Sequence, residues 1–365
     1  MVRQGLLKGA GLLLALAMVA AACGGDDDDD EAGGGGGEAA SDFKACEVTD
    51  TGGVDDRSFN QTVHDGLVAA GDEIGFEPSV LESQSDADYA PNIQTFVDQG
   101  CDLIVTVGFL LGDATASAAE ENPDQQFAIV DYDYSTAAGD SADEFDNVRE
   151  LTFSTDQAAF LAGYVAAATT ETGTVGTYGG INIPTVTIFM NGFAAGVDYF
   201  NEQNDENVEL VGWDAEQQDG SFTGDFEDQS KGRDTTEALI DEGADIIMPV
   251  AGPVGQGSIE AIRAGGGDQK LIWVDTDGCV SVPDDCDLFL TSVMKNMDVA
   301  VHDTVVAAAN GDFEGGAYLG TLENDGVGIA PFNEFEDQIP QELKDTLDDL
   351  RQQIIDGDID TNPAD

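Results

Sequence analysis

Val48-Thr49-Asp50-Thr51-Gly52-Gly53-Val54-Asp55-Asp56-Arg57-Ser58-Phe59-Asn60 reads as the end of a buried strand, a glycine turn and the start of a helix. Ala45 to Val48 forms a short apolar run of the kind a central parallel strand needs. Gly52-Gly53 lets the backbone turn sharply where a Cβ would clash. Phe59, Val63 and Leu67 then recur at helical spacing, with Asp56 or Ser58 as the expected N-cap. In an open α/β sheet, ligands bind at loops on the carboxyl ends of strands. A phosphate cradle would end in Gly-Lys-Ser/Thr and carry cations; this turn has Asp50, Asp55 and Asp56 against Arg57 alone. It suits a neutral, hydrogen-bonding ligand, and Phe59 at its mouth could offer a ring face.

Outward from this turn, strand-like and helical stretches alternate. Strands are expected at Cys46–Thr49, Leu103–Val107, Phe127–Val130, Val148–Thr152, Thr174–Tyr178, Glu209–Val211, Ile246–Val250, Leu271–Val274 and Leu288–Leu290. Helices are expected at stretches such as Asn92–Gln99, Gln157–Thr169, Phe189–Glu202, Thr235–Glu242 and Gly257–Ala264. This alternation argues for an α/β fold with doubly wound parallel sheets and helices on both faces. The chain beyond Phe43 is too long for one ordinary core and suits two lobes, with a boundary near Thr152–Asp156.

Met1 to Ala22 has Arg3 and Lys8, an apolar core from Leu12 to Val19, and small residues before Cys23. That order is a secretory signal, and Val19-Ala20-Ala21-Ala22-Cys23 resembles a lipobox whose cysteine is acylated. The run is short for a membrane span, which needs about 20 apolar residues. Residues 23–42, with Asp26 to Asp30 and Gly33 to Gly37, cannot bury enough surface to order themselves and read as a tether.

Twelve basic residues against 74 acidic ones give a net charge of −62. That excludes nucleic acid as the default partner, since phosphate needs basic patches. The acid is spread throughout, which points to adaptation to high salt rather than to attraction of a cationic ligand. Four cysteines remain after Cys23. Cys279 and Cys286 flank Pro283-Asp284-Asp285 and are expected to staple that loop. Cys46 and Cys101 each lie at the start of a strand and bridge if those strands are neighbours. No Cys-x-x-Cys is present, and His64 and His302 are far apart, so no metal site is expected; both histidines read as solvated helix residues. Gly-x-Ser-x-Gly is also absent, and acidic pairs are too common here for any one to mark an enzyme. Asp275 follows the run Leu271–Val274, either as an exposed loop acid or as a strand-end acceptor for hydroxyls. Lys295 stands out among so few cations, with a helix-surface charge as its plain alternative.

Asp-x-Gly-Gly-x-Asp-Asp-x-Ser-Phe-Asn at 50–60 resembles the opening signature of the basic membrane protein family, the PnrA-like nucleoside-binding lipoproteins of ABC transporters. The similarity continues through Val107-Gly108-Phe109-Leu110-Leu111-Gly112-Asp113, Phe127-Ala128-Ile129-Val130-Asp131-Tyr132 and Phe160-Leu161-Ala162-Gly163-Tyr164. Gly176-Thr177-Tyr178-Gly179-Gly180, Asp225-Phe226-Glu227-Asp228-Gln229-Ser230-Lys231-Gly232, Pro249-Val250-Ala251-Gly252 and Leu290-Thr291-Ser292-Val293-Met294-Lys295 follow in order. The resemblance implies a periplasmic-binding-protein type I fold whose two lobes are joined by three crossings. Lobe 1 would hold 43–153 with about 278–320, and lobe 2 would hold 154–277 with about 321–365. It implies a purine base sandwiched between Phe59 and a second-lobe aromatic, for which Phe226 is the choice over Phe222 or Phe193. Asp50 and Asn60 match positions at the base edge; Asp275, Gly252 and Lys295 match positions around the ribose, with Asp131 at another strand end. Gly278-Cys279-Val280 departs from relatives that carry glutamine there. The implied function is a lipid-anchored solute receptor of an ABC importer on the outer face of the cytoplasmic membrane. It would be a monomer without cofactor, handing a nucleoside to permease and ATPase subunits. The alternative is a ligand sensor on the same fold, signalling to a membrane partner.

Overall fold

Two six-stranded sheets carry the architecture of this computed structural model, which describes residues 42–134 and 145–362. The expected signal segment 1–22, the acylated Cys23 and all of the tether but Asp42 lie outside the described residues.

The first sheet contains β1 (Ala45–Thr49), β2 (Ser79–Glu82), β3 (Leu103–Val107), β4 (Gln126–Val130) and β5 (Val148–Phe153), closed at its far edge by β13 (Gly316–Gly320). Its order is β2-β1-β3-β4-β5-β13, and every pairing is parallel. The second sheet repeats the plan as β7-β6-β10-β11-β12-β14, built from β6 (Thr174–Gly179), β7 (Glu209–Val211), β10 (Ile246–Val250), β11 (Lys270–Asp275), β12 (Phe289–Lys295) and β14 (Val327–Ile329). Only β14 runs antiparallel among these described strands. A two-stranded ribbon, β8 (Trp213–Asp214) with β9 (Asp219–Gly220), stands beside the second sheet. In both sheets the order reverses beside the first strand, which opens a crevice at the carboxyl ends.

Helices cover both faces. They are α1 (Phe59–Ile74), α2 (Asp86–Gln99), α3 (Gly112–Glu121), α4 (Thr155–Thr169), α5 (Pro184–Asn204), α6 (Gln229–Asp241), α7 (Gln256–Gly265), α8 (Met297–Asn310) and α9 (Gln341–Ile355). The strands β1, β3 and β10 are buried along their whole length because helices lie on both sides. α4 and α5 approach so closely that a Cβ on Gly163 would sit 2.1 Å from Phe193 O, and one on Gly196 2.1 Å from Phe160 O. Only glycine permits that contact, and it fixes the N-terminal half of α5 above the crevice.

The chain leaves the first sheet at Ser154, returns to it at Asn296 and leaves again between Gly320 and Val327. The crossings are tied together: Ser154 N donates to Gly320 O at 2.8 Å and Asn296 N to Gly326 O at 3.0 Å. The expected placement of about 278–320 in lobe 1 is therefore corrected at its start. Residues 289–295 form β12 in the second sheet, and the return comes one residue after Lys295. β12 carries Thr291, Ser292 and Lys295, so its sequence lacks the unbroken apolar run that marks the other inner strands.

Disulfides join Cys46 to Cys101, with Cα atoms 6.1 Å apart, and Cys279 to Cys286, 4.5 Å apart. The first ties β1 to the start of its neighbour β3; the second closes the loop that carries the chain from β11 to β12. His64 corrects the reading of a solvated helix residue. Its Nδ1 lies 2.7 Å from Oε2 of Glu47, a carboxylate buried in the middle of β1. Burial pushes the Glu47 carboxyl up, and the hydrogen bond to Glu47 raises the His64 imidazole.

Candidate functional site

A cavity lies where the carboxyl ends of the two sheets face each other. From the first lobe it is lined by Asp50 after β1, Phe59 and Asn60 at the start of α1, Gly108 to Leu110 after β3, and Asp131 after β4. From the second it is lined by Ile183, Thr185, Val186 and Phe189 around the start of α5, Phe226 before α6, Gly252 after β10, Asp275 ending β11 and Lys295 ending β12. The geometry thus brings together all eight residues singled out in the sequence: Asp50, Phe59, Asn60, Asp131, Phe226, Gly252, Asp275 and Lys295.

The aromatic walls come from both lobes. Phe226 packs over Gly180, where a Cβ would lie 2.2 Å from its ring. Phe222 instead sits on Gly179 and meets Trp213 edge-on at 5.9 Å, while Phe193 is fully buried in the core; neither lines the cavity. Phe109 and Phe189 also line it. Phe109 stood within a quoted block without being singled out, and Phe189 was read only as the start of a helix.

The polar groups are acid-rich and heavily networked. Asp50 Oδ1 accepts hydrogen bonds from Gly52 N at 3.2 Å and Asn60 Nδ2 at 2.8 Å. The same amide nitrogen donates to Asp56 Oδ2 at 3.3 Å. With its nitrogen between two carboxylates the Asn60 amide has one sensible orientation, which leaves Oδ1 as a buried acceptor without a partner among the described residues. Gly108 has φ +108°, and a Cβ there would lie 2.9 Å from Asp50 Oδ2 and 3.5 Å from Phe59 Cε1. Asp50 Oδ2 and the edge of the Phe59 ring both border Gly108. Burial pushes the Asp50 carboxyl up, and Asp275 is pushed up to about 6 for the same reason, against the pull of Lys295 and Ser58.

Asp131 and Asp275 occupy matching strand ends in the two lobes, and both take left-handed backbone angles, φ +67° and +71°. Such angles are uncommon outside glycine, though aspartate tolerates them better than most residues. Lys295 is 2% exposed and forms an ion pair with Asp131. Its ammonium also lies 4.9 Å from the centroid of Phe59, 5.3 Å from Phe153 and 5.8 Å from Phe189. Three ring faces and one carboxylate give a desolvated cation the partners it needs. Burial still raises the Asp131 carboxyl, partly offset by Lys295. The plain readings of Asp275 as an exposed acid and Lys295 as a helix-surface charge both give way: each ends a strand and each is buried.

The N-cap of α1 is shared between the two expected residues. Ser58 holds the cap position, but its hydroxyl makes no cap bond. Asp56 does that work, accepting from Ser58 N at 2.9 Å, Asn60 N at 2.9 Å and Gln61 N at 3.0 Å. Even with these donors, burial pushes Asp56 up to about 6. Among the described residues no group of three or more His, Cys, Asp or Glu side chains is arranged to hold a metal ion.

The family model described as "ABC transporter substrate-binding protein PnrA-like" matches residues 43–363. The chain is 35% identical over 339 residues to the "CD4+ T-cell-stimulating antigen" of Listeria monocytogenes serovar 1/2a, covering 88% of each. It is 32% identical over 336 residues to the "ABC transporter nucleoside-binding protein BmpA" of Lactococcus lactis subsp. cremoris, covering 87% of this chain and 89% of that one. Among solved structures, an ABC transporter solute-binding protein from Aeropyrum pernix K1 superposes with a TM-score of 0.78 at 26% identity, covering 88% of this chain and 94% of that chain. The two crossed sheets, the crevice at their carboxyl ends and these matches lead to one conclusion: the chain belongs to the PnrA-like family of ABC transporter substrate-binding proteins.

Proposed function

We propose that this protein is the lipid-anchored receptor of an ABC importer and that it binds a purine nucleoside between its lobes. The observation that carries the reading is the pairing of Phe59 and Phe226, one from each lobe, on a single cavity edged by carboxylates. A flat base stacks on such rings, and its N–H donors suit the acceptors at Asp50 Oδ2 and Asn60 Oδ1. Asp275 and Asp131 would accept from the ribose hydroxyls, with Lys295 and the main chain at Gly252 beside them. A phosphate would face Asp50, Asp56, Asp131 and Asp275, with Lys295 as the cation lining the cavity, so a nucleoside is favoured over a nucleotide. Similarity to a protein named as nucleoside-binding adds support.

The work is capture and release: no bond is made or broken. Permease and ATPase subunits would receive the ligand. Cys23, acylated after removal of 1–22, would hold the domain on the outer face of the cytoplasmic membrane through the 23–42 tether, as a monomer. Native mass spectrometry of the protein purified without added ligand tests the reading. A purine nucleoside is expected on the folded chain. A different small molecule at full occupancy would overturn the assignment.

A further inference from the structure

Ser58 is fully buried, does not line the cavity, and spends its hydroxyl across the cleft. Its Oγ donates to Asp275 Oδ2 at 2.8 Å, joining the first-lobe turn to the end of β11 in the second lobe. Two residues earlier in the turn, the main-chain oxygen of Asp56 accepts from Gln256 Nε2, at the start of α7, at 3.3 Å. Two separate second-lobe elements therefore meet the same three residues, 56–58. The turn is shaped for this. Asp56 braces it with three backbone donors, and Arg57 between the two contacts has φ +60°, an angle a side-chain-bearing residue holds only when its surroundings enforce it. Asn60 links the turn to the cavity, since its amide nitrogen reaches both Asp56 and Asp50.

We propose that Ser58 and Gln256 form a closure latch, with Ser58 a positioning residue that acts on the ligand only through Asp275 and through the closed arrangement of the lobes. Closure engages Oδ2 of Asp275 with Ser58 and leaves Oδ1 for the cavity. Neither latch side chain lines the cavity, so an encounter with the open form does not use them. Their loss raises the rate of release, and capture changes only through the gain in open molecules, at most about twofold where the unliganded protein is no more than half closed. A hydrogen bond to a carboxylate is the stronger kind, which sets the expected effect of Ser58→Ala at roughly ten- to a hundredfold in the closed-to-open ratio. The neutral Gln256 contact is worth less, roughly a few-fold to tenfold.

The proposal rests on the two-lobe receptor reading, and its test separates the two. Donor and acceptor dyes at Val299→Cys on α8 and Ala238→Cys on α6, both exposed, report the distance between lobes in the full chain without added nucleoside. The latch predicts a closed population in the otherwise wild-type protein that Ser58→Ala depletes and Gln256→Ala depletes less. Stopped-flow release of guanosine should then quicken roughly ten- to a hundredfold in Ser58→Ala, with the association rate within about twofold. A labelled protein already open without ligand, or one indistinguishable from both variants, overturns the latch. So does a release rate unchanged in both. Failure of the unaltered protein to bind guanosine, inosine or adenosine would count against the nucleoside reading, and the label distances would still decide the latch.

Discussion

Replacing Lys295 by Met tests how the centre of the site is held together. Methionine keeps an unbranched apolar stem at this position but lacks the ammonium that faces the Phe59, Phe153 and Phe189 rings and pairs with Asp131. Both partners are buried, at 2% and 8% side-chain exposure, so loss of the cation leaves the carboxylate poorly solvated. Removing one member of such a pair costs about 3–5 kcal/mol, mostly the penalty of the stranded charge. For a chain of this length that is a fall of about 5–8 °C in melting temperature. Asp131 is already raised by burial and would escape the penalty by taking a proton, so the deficit should shrink as the pH is lowered. The double variant Lys295→Met/Asp131→Asn should recover most of the loss, because no buried charge remains. Thermal unfolding of wild type, Lys295→Met, Asp131→Asn and the double variant in high salt, at acidic and alkaline pH, supplies the cycle. A single variant within about 1 °C of wild type, or a double variant no better than the single, would refute the buried-pair argument.

Three further outcomes are expected. Cys23→Ala should release the protein from membrane pellets, since two acyl chains are needed to hold a soluble domain firmly; continued tight association would sink the lipid anchor. With a net charge of −62, stability should rise between about 0.01 and 1 M salt as the Debye length falls from about 30 to 3 Å; a flat or falling melting temperature would leave the acidity unexplained. Asp56 and Asp275 hold protons in the folded state up to about pH 6 that the unfolded chain has released near the ordinary value of 3.8. Stability therefore falls as the pH rises from about 4 to about 6, by up to about 3 kcal/mol for each group, and levels off above. Urea unfolding in high salt measures this, and Asp275→Asn should flatten the slope.

Much of the fold was legible because helices on both sides of each sheet force apolar runs such as Leu103–Val107 and Ile246–Val250. Apart from β7, the edge strands were not. β13 reads Gly-Ala-Tyr-Leu-Gly and β14 is three residues with a central glycine, so neither carries a β-branched run. β12 was cut short by its polar residues, and that displaced the lobe boundary. Inside β1, Glu47 passed unnoticed within an apolar stretch, and with it the role of His64, which depends on a helix lying across the strand. The site residues were legible through motif resemblance, which carries position but not contact. That Lys295 has three rings around it, or that Ser58 reaches Asp275, depends on elements more than 100 residues apart meeting in space. Choosing Phe226 over Phe193 likewise depended on which side of its element each ring faces.

Titration calorimetry tests the central claim most directly. Guanosine, inosine, adenosine and their monophosphates would be titrated into wild type and into the Phe59→Ala and Phe226→Ala variants. One purine nucleoside should bind per chain, each monophosphate should bind more weakly than its nucleoside, and each alanine variant should lose roughly ten- to a hundredfold, from about 1–3 kcal/mol of stacking. Tighter binding of a monophosphate, or unchanged affinity in both alanine variants, would contradict a nucleoside held between these two rings.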